Sequence, residues 1–570
     1  MVSIMKKKPK LRYDRIVIFI LGVILVSFLC ISGISKLFNG VKTIIPTKTI
    51  MYLASINNTV SLYDENYNEV DKLPRGTEVI KKGESKIEDK VYYKITHNKN
   101  KYYVLKDDLS NNKNEVVKEK EVYVRTSLTF YETSDSINIL GLIKKGEKLE
   151  VIDIDKLNDD GSVNMYKVKY DDKEGYIYSK YVVLTYEEAI KNYDEENTYK
   201  IHAARTDTLG GGNGASLDYY PYEKAKFENN VMPDDVRSLY LNAGVIKNVD
   251  KYIEIAKGSG INAFVVDIKD NTAPAYPANA MKDYSMTNYN KAINSYEDYR
   301  NAIKKLKDNG FYVIGRITVF KDSYYAKDHP ENTIKETSTN NSYNHDGSYW
   351  PSAYQRDVWE FNVALAIESV EEMGFNEIQF DYVRFPDRVS SLEKEGIINY
   401  GNVYNETKAE AIQRFLMYAC DEIHKHGAYV SADVFGEAAH SYVTAYGQYW
   451  PAISNIVDVI SAMPYPDHFN KYQYGIKDPV WTVPYTLLST WSKNYAVKRQ
   501  NETTTPAIVR TWIQAYNTTK SPKVTYDSYM ISEQLKGLYE NGLTGGFMTW
   551  NGSSSLSKYT EILEAFGKEY

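Results

Sequence analysis

Cysteine is scarce in this sequence, and basic residues are not in excess. The 570-residue chain has only 2 cysteines, which excludes a disulfide scaffold and any cysteine-rich zinc or iron–sulfur site. Lys and Arg number 69 against 75 Asp and Glu, a net charge of -6, so we do not expect a nucleic acid as a partner. The 8 histidines form no His-Glu-x-x-His motif, and neither a P-loop nor a Gly-x-Ser-x-Gly turn occurs. Nucleotide, zinc-hydrolase and serine-hydrolase sites are therefore not expected, and we expect no metal ion or cofactor.

The rest of the composition is typical of a globular protein, with 43% hydrophobic and 25% charged residues. The length suggests about four structural units. Tyrosine is unusually frequent, with 53 residues. Its flat ring and polar hydroxyl suit the binding of sugars, although an AT-rich coding bias explains the excess equally well.

The amino terminus has the pattern of a membrane anchor. Residues 1–15 carry six basic residues and one acid, and residues 16–35 carry no charge. At about 1.5 Å per residue, the uncharged stretch spans a hydrocarbon core of roughly 30 Å. A cleaved signal peptide is the alternative, but the apolar run is longer than usual and residues 32–35 make a poor cleavage site. We expect a single-pass membrane protein with a cytoplasmic tail (1–15), a transmembrane helix (16–35) and extracellular domains.

Two related β-rich segments follow, at residues 50–110 and 120–185. Both have short alternating strands and a turn glycine, Gly76 or Gly146, ahead of a tyrosine-rich strand pair. This pattern predicts two small β-barrels. The second segment resembles bacterial SH3-like domains through VRT (124–126) and GYI (175–177). The resemblance implies binding of cell-wall peptide or glycan, and a role as a spacer is equally open.

A polar linker at 186–232 leads to a region, 233–570, in which strands alternate with amphipathic helices. This alternation predicts parallel β/α units. A doubly wound sheet would show a glycine-rich phosphate turn after an early strand, and none is present. We therefore predict a (β/α)8 TIM barrel. The predicted strands are 237–244, 261–269, 311–320, 377–384, 429–435, 458–464, 507–514 and 545–550, and the main predicted helices are 247–258, 293–308, 355–373, 406–426 and 527–540.

Several polar side chains fall at the carboxyl ends of these strands, where TIM barrels place their active sites. Asp267, Asp381 and Asp433 end strands 2, 4 and 5 and should converge, with Lys269, Arg316 and Arg384 as the nearby cations. Trp350, Trp512 and Trp550 also fall at the predicted mouth, where a ring face can stack on a sugar. The long insertion at 323–349 is a candidate substrate lid.

The segments VDIKD (266–270), RITVFKD (316–322), FDYVRFP (380–386) and SADVFG (431–436) together resemble a bacterial family of uncharacterised glycoside-hydrolase-like TIM barrels. That family is distantly related to the α-amylase-like superfamily, and the resemblance covers residues 236–566. It implies hydrolysis of a cell-wall or exopolysaccharide glycan by two carboxyl groups. By analogy, Asp381 is the nucleophile or base, and Asp433 or Glu437 is the acid. The expected substrate-binding residues are Asp267, Lys269, Arg316, Arg384, Tyr465, Trp512, Gln514, Trp550 and Asn551.

Other interpretations of these residues remain open. The pairs Asp381–Arg384 and Asp267–Arg316 could be ion pairs that only hold the top of the barrel together. A non-catalytic glycan-binding or scaffolding protein of the cell envelope is the alternative function. A cysteine nucleophile is not expected, because Cys420 falls within the predicted helix at 406–426.

Overall fold

The structure, a computed structural model, describes residues 49–205 and 207–570. The predicted cytoplasmic tail and transmembrane helix lie outside these residues. Within the described ranges, no helix combines the length and apolar character that crossing a bilayer requires. The chain divides into two compact units, and the division falls inside the second β-rich segment. The first unit contains the residues up to Lys118 with Leu157–Ser162, and the second contains Glu119–Lys156 with Val163–Tyr570.

The first unit is built on a seven-stranded antiparallel sheet with strand order β3-β2-β6-β5-β4-β1-β7. Inward and outward side chains alternate, as in β2, where Val60 and Leu62 are buried between more exposed neighbours. Its strands are β1 (Thr49–Leu53), β2 (Thr59–Tyr63), β3 (Glu69–Pro74), β4 (Glu78–Ile87), β5 (Lys90–His97), β6 (Asn100–Leu105) and β7 (Leu109–Ser110).

A second seven-stranded antiparallel sheet opens the second unit. Its order, β10-β9-β13-β12-β11-β8-β14, repeats the order of the first sheet strand for strand. The turn glycines Gly76 and Gly146 occupy equivalent places and both have positive φ, 83° and 90°, which side chains with a Cβ rarely adopt. The strands are β8 (Glu121–Val124), β9 (Leu128–Tyr131), β10 (Ile139–Ile143), β11 (Lys148–Ile154), β12 (Met165–Tyr170), β13 (Lys173–Tyr178) and β14 (Val182–Val183).

Eight parallel strand segments form a nearly closed barrel, and each lies within a few residues of its predicted position. The ring is interrupted only at Arg510, which separates β26, paired with β25, from β27, paired with β28. The first and last strands, β15 and β28, pair in parallel and complete the circle. In ring order the strands are β15 (Val236–Leu241), β16 (Ala263–Asp270), β18 (Tyr312–Thr318), β22 (Glu377–Asp381), β24 (Tyr429–Phe435), β25 (Val459–Met463), β26 (Ile508–Val509) with β27 (Thr511–Gln514), and β28 (Gly546–Trp550).

Helices between the strands cover the barrel, and the five main predicted helices are confirmed. The longest, α10, starts at a capping box in which Thr407 and Glu410 bind each other's backbone amides. The α-helices are α1 (Tyr186–Ile190), α2 (Thr198–Ala203), α3 (Val249–Ala256), α4 (Asn279–Tyr284), α5 (Met286–Asn290), α6 (Tyr296–Asp308), α7 (Ser323–Asp328), α8 (Arg356–Glu368), α9 (Ser390–Lys394), α10 (Lys408–Ile423), α11 (Trp450–Ser454), α12 (Pro484–Trp491), α13 (Val497–Asn501), α14 (Ser528–Tyr539) and α15 (Leu556–Ile562).

The predicted linker is fastened to the barrel. The Asp218 amide donates to Gln413 Oε1 on α10, and Gln413 Nε2 donates back to the Asp218 carbonyl, both at 2.8 Å. Lys224 donates to three backbone carbonyls between Ser454 and Val457. This segment therefore acts as an irregular cap on the barrel.

The insertion after β18 contains regular structure. Asp322 caps α7 by accepting from two backbone amides. The short strands are β19 (Lys335–Glu336), which pairs with β23 (Ile398–Asn399), β20 (Asn344–His345), which pairs with β21 (Ser348–Tyr349), and β17 (Ala273–Pro274), which pairs with β16. Hydrogen bonds from Lys269 to Asp322, from Asn271 to Ser348 and from Ser323 to Asn271 join the insertion to the end of β16.

Candidate active site

Four charged side chains converge at the carboxyl ends of four neighbouring barrel strands. Asp267 on β16 lies opposite Arg316 on β18. Asp381 and Asp433 each follow a residue that is paired across β22 and β24. Adjacent strands are about 4.8 Å apart, so these two carboxyl groups belong to directly neighbouring positions of the barrel rim. The predicted convergence is therefore present in the structure.

Arg316 joins two of the three aspartates. Its guanidinium is 1% exposed and donates to Asp381 Oδ2 from Nε at 3.1 Å and from Nη2 at 2.6 Å. Its Nη1 donates to Asp267 Oδ1 at 2.8 Å. Burial lowers the pKa of Arg316, but the charges of Asp381 and then Asp267 raise it more, so that the pKa lies well above its ordinary value. Arg316 therefore stays charged and makes charge-assisted hydrogen bonds to Asp381.

Asp267 is as buried as Arg316 and is 1% exposed. Burial raises the pKa of its carboxyl group to about 6, and Arg316 only partly offsets that effect. Its Oδ2 accepts a hydrogen bond from Tyr240 at 2.5 Å, and its backbone carbonyl accepts one from Tyr299 at 2.8 Å. Both oxygens of the carboxyl group are bound by the protein.

Asp433 has a different environment from Asp381. It is 1% exposed, and its Oδ1 accepts from Trp512 Nε1 at 2.8 Å, whereas Oδ2 has no hydrogen-bond partner among the described residues. Burial, and secondly the charge of Asp381, raise the pKa of Asp433 well above its ordinary value. A carboxyl group in this position retains its proton at pH values where an ordinary aspartate has lost it.

Aromatic rings surround the cluster. Trp550 is partly exposed, and its ring centre lies 4.7 Å from that of Tyr240 and 5.6 Å from that of Trp512. Tyr465 lies nearly parallel to Trp550 at 6.5 Å. The Arg316 guanidinium carbon lies 5.3 Å from the centre of the Trp550 ring, within cation–π range. A half-exposed tryptophan above a charged cluster provides a surface on which a sugar ring can stack.

Arg384 and Glu437 bind partners outside the aspartate cluster. Arg384 Nη1 donates to the Phe385 carbonyl at 3.0 Å and to Asp387 Oδ1 at 3.1 Å. Arg316 is therefore the arginine that contacts Asp381. The Glu437 carboxylate accepts from the hydroxyls of Tyr442 and Tyr446, each at 2.9 Å. None of the hydrogen bonds of Glu437 reaches the aspartates.

Three of the expected substrate-binding residues bind the protein itself. The Lys269 ammonium is fully buried and donates to Asp322 Oδ2 at 2.7 Å. The Gln514 side chain accepts from the Asp467 amide at 2.8 Å and donates to the Tyr516 carbonyl at 3.1 Å. Asn551 Nδ2 donates to the Ala515 carbonyl at 2.7 Å, and Oδ1 accepts from Ser553 and Ser555. These groups position the strand ends and the loops that follow them.

Three residues of the site were not identified from the sequence. Tyr240 ends an apolar strand and carries no pattern that distinguishes it from a core residue. Tyr382 follows Asp381 with φ at 51°, a left-handed conformation that is uncommon for a residue with a Cβ, and its amide donates to Asp381 Oδ1 at 2.6 Å. Lys321 lies inside the RITVFKD segment, and an isolated lysine there has no pattern that distinguishes it from a surface residue.

Solved structures with similarity to this chain include three examples. A hypothetical protein from Ruminiclostridium thermocellum ATCC 27405 has 31% identity over 34% of this chain and 97% of its own, with a TM-score of 0.29. The PgaB (BpsB) glycoside hydrolase domain from Bordetella bronchiseptica has 12% identity over 58% of this chain and 99% of its own, with a TM-score of 0.41. The maltogenic alpha-amylase AmyB from Thermotoga neapolitana has 11% identity over 57% of this chain and 68% of its own, with a TM-score of 0.35.

These TM-scores are low, and among curated proteins none matches the chain. The family assignment therefore depends on the sequence of the barrel. Residues 238–556, more than half of the chain, match the model of the DUF4015 family, described as "Putative glycosyl hydrolase domain", and the protein belongs to that family.

Proposed function

We propose that the protein is a membrane-anchored, extracytoplasmic glycoside hydrolase that cleaves a cell-wall or exopolysaccharide glycan through Asp381 and Asp433. The observation that carries this proposal is the contrast between these neighbouring carboxyl groups. Asp381 accepts two hydrogen bonds from Arg316, whereas Asp433 is buried with a raised pKa. Two titratable groups with opposed environments are the arrangement that glycosidases use for their base and acid.

In the proposed reaction, Asp433 donates its proton to the glycosidic oxygen as the bond to the anomeric carbon breaks. Asp381 either attacks the anomeric carbon or accepts a proton from the attacking water. Arg316 orients the Asp381 carboxyl group through two hydrogen bonds, and Asp267 holds Arg316 in place from its other side. A carboxyl separation of about 5–5.5 Å in the substrate complex would give retention, and one of about 6.5–9.5 Å would give inversion.

We divide the expected substrate-binding residues into those that contact the sugar and those that act through other protein groups. Trp550, with Tyr465 beside it, offers the ring face for stacking, and Arg384 lines the mouth. Trp512 orients Asp433 through its indole N–H. We propose that Lys269, Gln514 and Asn551 act indirectly, since their polar atoms are occupied by the protein. The sugar would then contact the rim and not these buried groups.

The amino-terminal half completes the proposal. Residues 16–35 would anchor the chain in the cell membrane, with residues 1–15 in the cytoplasm. The two antiparallel sheets would be SH3-like modules that either bind peptidoglycan or hold the barrel away from the membrane. Their shared strand order supports an origin as a repeat.

A non-catalytic glycan-binding or scaffolding protein is the second candidate, and one observation favours it. Asp433 is 1% exposed and bound to Trp512, so it must become accessible before it can protonate a glycosidic oxygen. A barrel that binds glycan without that opening would hold its ligand uncleaved.

Both candidates can be separated with the full-length protein and its Asp381→Asn variant. Each is incubated with purified wall glycan and with secreted exopolysaccharide, and new reducing ends and bound protein are measured together. Release by the wild type alone supports the hydrolase. Binding by both proteins with release by neither would replace it with the scaffold, and equal release by both would remove Asp381 from the chemistry.

A further inference from the structure

Lys321 lies beside the proposed catalytic pair and is left without an acidic partner. The chain after β18 continues along the end of β22, since the Val319 amide donates to the Asp381 carbonyl at 2.9 Å and the Phe320 amide to the Tyr382 carbonyl at 3.4 Å. Lys321 is the next residue. Its half-buried ammonium reaches only the Tyr382 hydroxyl, at 3.5 Å, and no carboxylate of the described residues lies within 4 Å of it.

A second cation faces the same tyrosine ring. The Arg384 guanidinium carbon lies 5.2 Å from the centre of the Tyr382 ring, and Lys321 Nζ lies 4.7 Å from it. Arg384 is buried against the aromatic rings of Trp350 and Phe435. Its Nη1 is bound to protein oxygens, whereas no described partner is found for Nε or Nη2.

The acids near these two cations already bind arginines. Asp381 binds Arg316, and Asp387 binds both Arg384 Nη1 and Arg388. Asp346 also binds Arg388. Asp270 is partly exposed and is closest to Arg316, at 4.0 Å. Among the described residues, Asp387 pairs with Arg384 through Nη1 alone, so that Arg384 Nε and Nη2 and the Lys321 ammonium have no acidic partner.

The energetics of Lys321 agree with this geometry. Burial lowers the pKa of the Lys321 ammonium, Asp270 opposes that effect, and the positive charge of Arg384 adds to it. Two like charges in a partly desolvated site repel each other, and a bound anion reduces that repulsion. Tyr382, whose ring both cations approach, has a left-handed backbone, which is a further cost of the kind found at ligand sites.

We propose that Lys321 and Arg384 form a subsite for an anionic group on the sugar next to the cleaved bond, so that the substrate is an acidic glycan. This inference rests on the hydrolase proposed above and names its substrate class. The anion is a carboxylate, as in a uronic acid, or a phosphate. Lys321 supplies a point charge, and Arg384 supplies its unbound N–H groups.

The test measures binding to the full-length Asp381→Asn protein by calorimetry, so that turnover does not interfere. The probes are a uronic-acid tetrasaccharide, its neutral carboxyl-reduced counterpart and the same neutral tetrasaccharide carrying one phosphate. Lys321→Met and Lys321→Arg are compared with Lys327→Met, which removes an exposed lysine from the same insertion.

We expect one of the two acidic probes to bind about tenfold more tightly than the neutral one, as a charge-assisted hydrogen bond provides. Lys321→Met should abolish this preference without weakening the neutral probe, while Lys321→Arg and Lys327→Met retain it. The acidic probe with the higher affinity identifies the anion. Equal affinities for all three probes, no binding of either acid, or a preference that survives Lys321→Met would each overturn the subsite.

Failure of the subsite and failure of the hydrolase give different results. If the wild type releases reducing ends from a neutral glycan and binds no acidic probe, the hydrolase stands and the anionic subsite is wrong. If the acidic probe binds through Lys321 but no glycan is cleaved, the subsite stands and the hydrolase is wrong.

Discussion

Replacing Arg316 with methionine tests the electrostatics of the site most sharply. The guanidinium is 1% exposed and makes three hydrogen bonds to two buried carboxyl groups. Without it, Asp267 keeps only the Tyr240 hydroxyl and Asp381 keeps only the backbone amide of Tyr382. Removing one partner of a buried ion pair typically costs about 3–5 kcal/mol. We expect a loss of that size in the free energy of unfolding near neutral pH.

The loss should depend on pH in a defined direction. The folded-state pKa of Asp267 is already raised to about 6 from an ordinary 3.8, so its contribution to stability is full below the unfolded value and is lost as pH rises through 6. Without Arg316, the pKa of Asp267 rises further in the folded state, because the guanidinium charge no longer offsets burial. The Arg316→Met protein should therefore approach wild-type stability in acid and fall behind it as pH rises.

Urea unfolding at several pH values between about 5 and 8 measures this difference. Arg388→Met is the matched control, because its side chain is 72% exposed and its ion pairs should contribute only about 0–1 kcal/mol. Glycan cleavage by Arg316→Met should also fall, since Asp381 loses the two hydrogen bonds that orient its carboxyl group. A stability loss below about 1 kcal/mol, or one that does not change with pH, would refute the reasoning.

Three further predictions follow from other contacts. Arg510 and Glu377 form a fully buried ion pair at 2.8 Å. In thermal unfolding, Arg510→Met should lower the free energy of unfolding by about 3–5 kcal/mol, and adding Glu377→Leu should recover part of that loss. Asp421 on α10 accepts a hydrogen bond at 2.8 Å from the hydroxyl of the buried Tyr181, the residue before β14 of the second sheet. Asp421→Ala should therefore lower the free energy of unfolding by about 1–3 kcal/mol and increase proteolysis of the second sheet. Unchanged protection from proteolysis would contradict packing of this sheet against α10. Because the pKa of Asp433 is raised, the rate of glycan cleavage should persist above the usual pH range of a carboxyl group and fall as pH rises through that pKa. If the Asp433→Asn protein showed the same fall in rate at high pH as the wild type, Asp433 would not be the acid.

The barrel could be predicted because its strands are buried on both sides. β16 starts with an apolar run, AFVV, and ends in DIKD, and such runs differ clearly from the amphipathic helices between them. The repeated sheets were visible through alternation and through Gly76 and Gly146, whose positive φ explains why glycine occupies both turns. Short elements inside the insertion after β18 lack any such period.

The partners of the charged residues could not be predicted, because they lie far apart in the sequence. Lys269 and its acid Asp322 are 53 positions apart, and Asp433 and Trp512 are 79 apart. Because these residues lie at or near strand ends, the sequence predicts that their side chains lie at the same barrel rim. It does not predict which ammonium or amide group is already bound by another group of the protein. The choice between Arg316 and Arg384 as the partner of Asp381 likewise required the geometry.

The most direct test of the proposed acid–base pair compares three full-length variants in one assay. Asp381→Asn, Asp433→Asn and Glu437→Gln are incubated with the glycan that the wild type cleaves, and the rate of release of reducing ends is measured for each. We expect the first two to lose about 100-fold or more and Glu437→Gln to keep most of the activity, because its carboxylate binds Tyr442 and Tyr446 outside the cluster. An inactive Glu437→Gln protein beside an active Asp433→Asn protein would contradict the assignment of the acid.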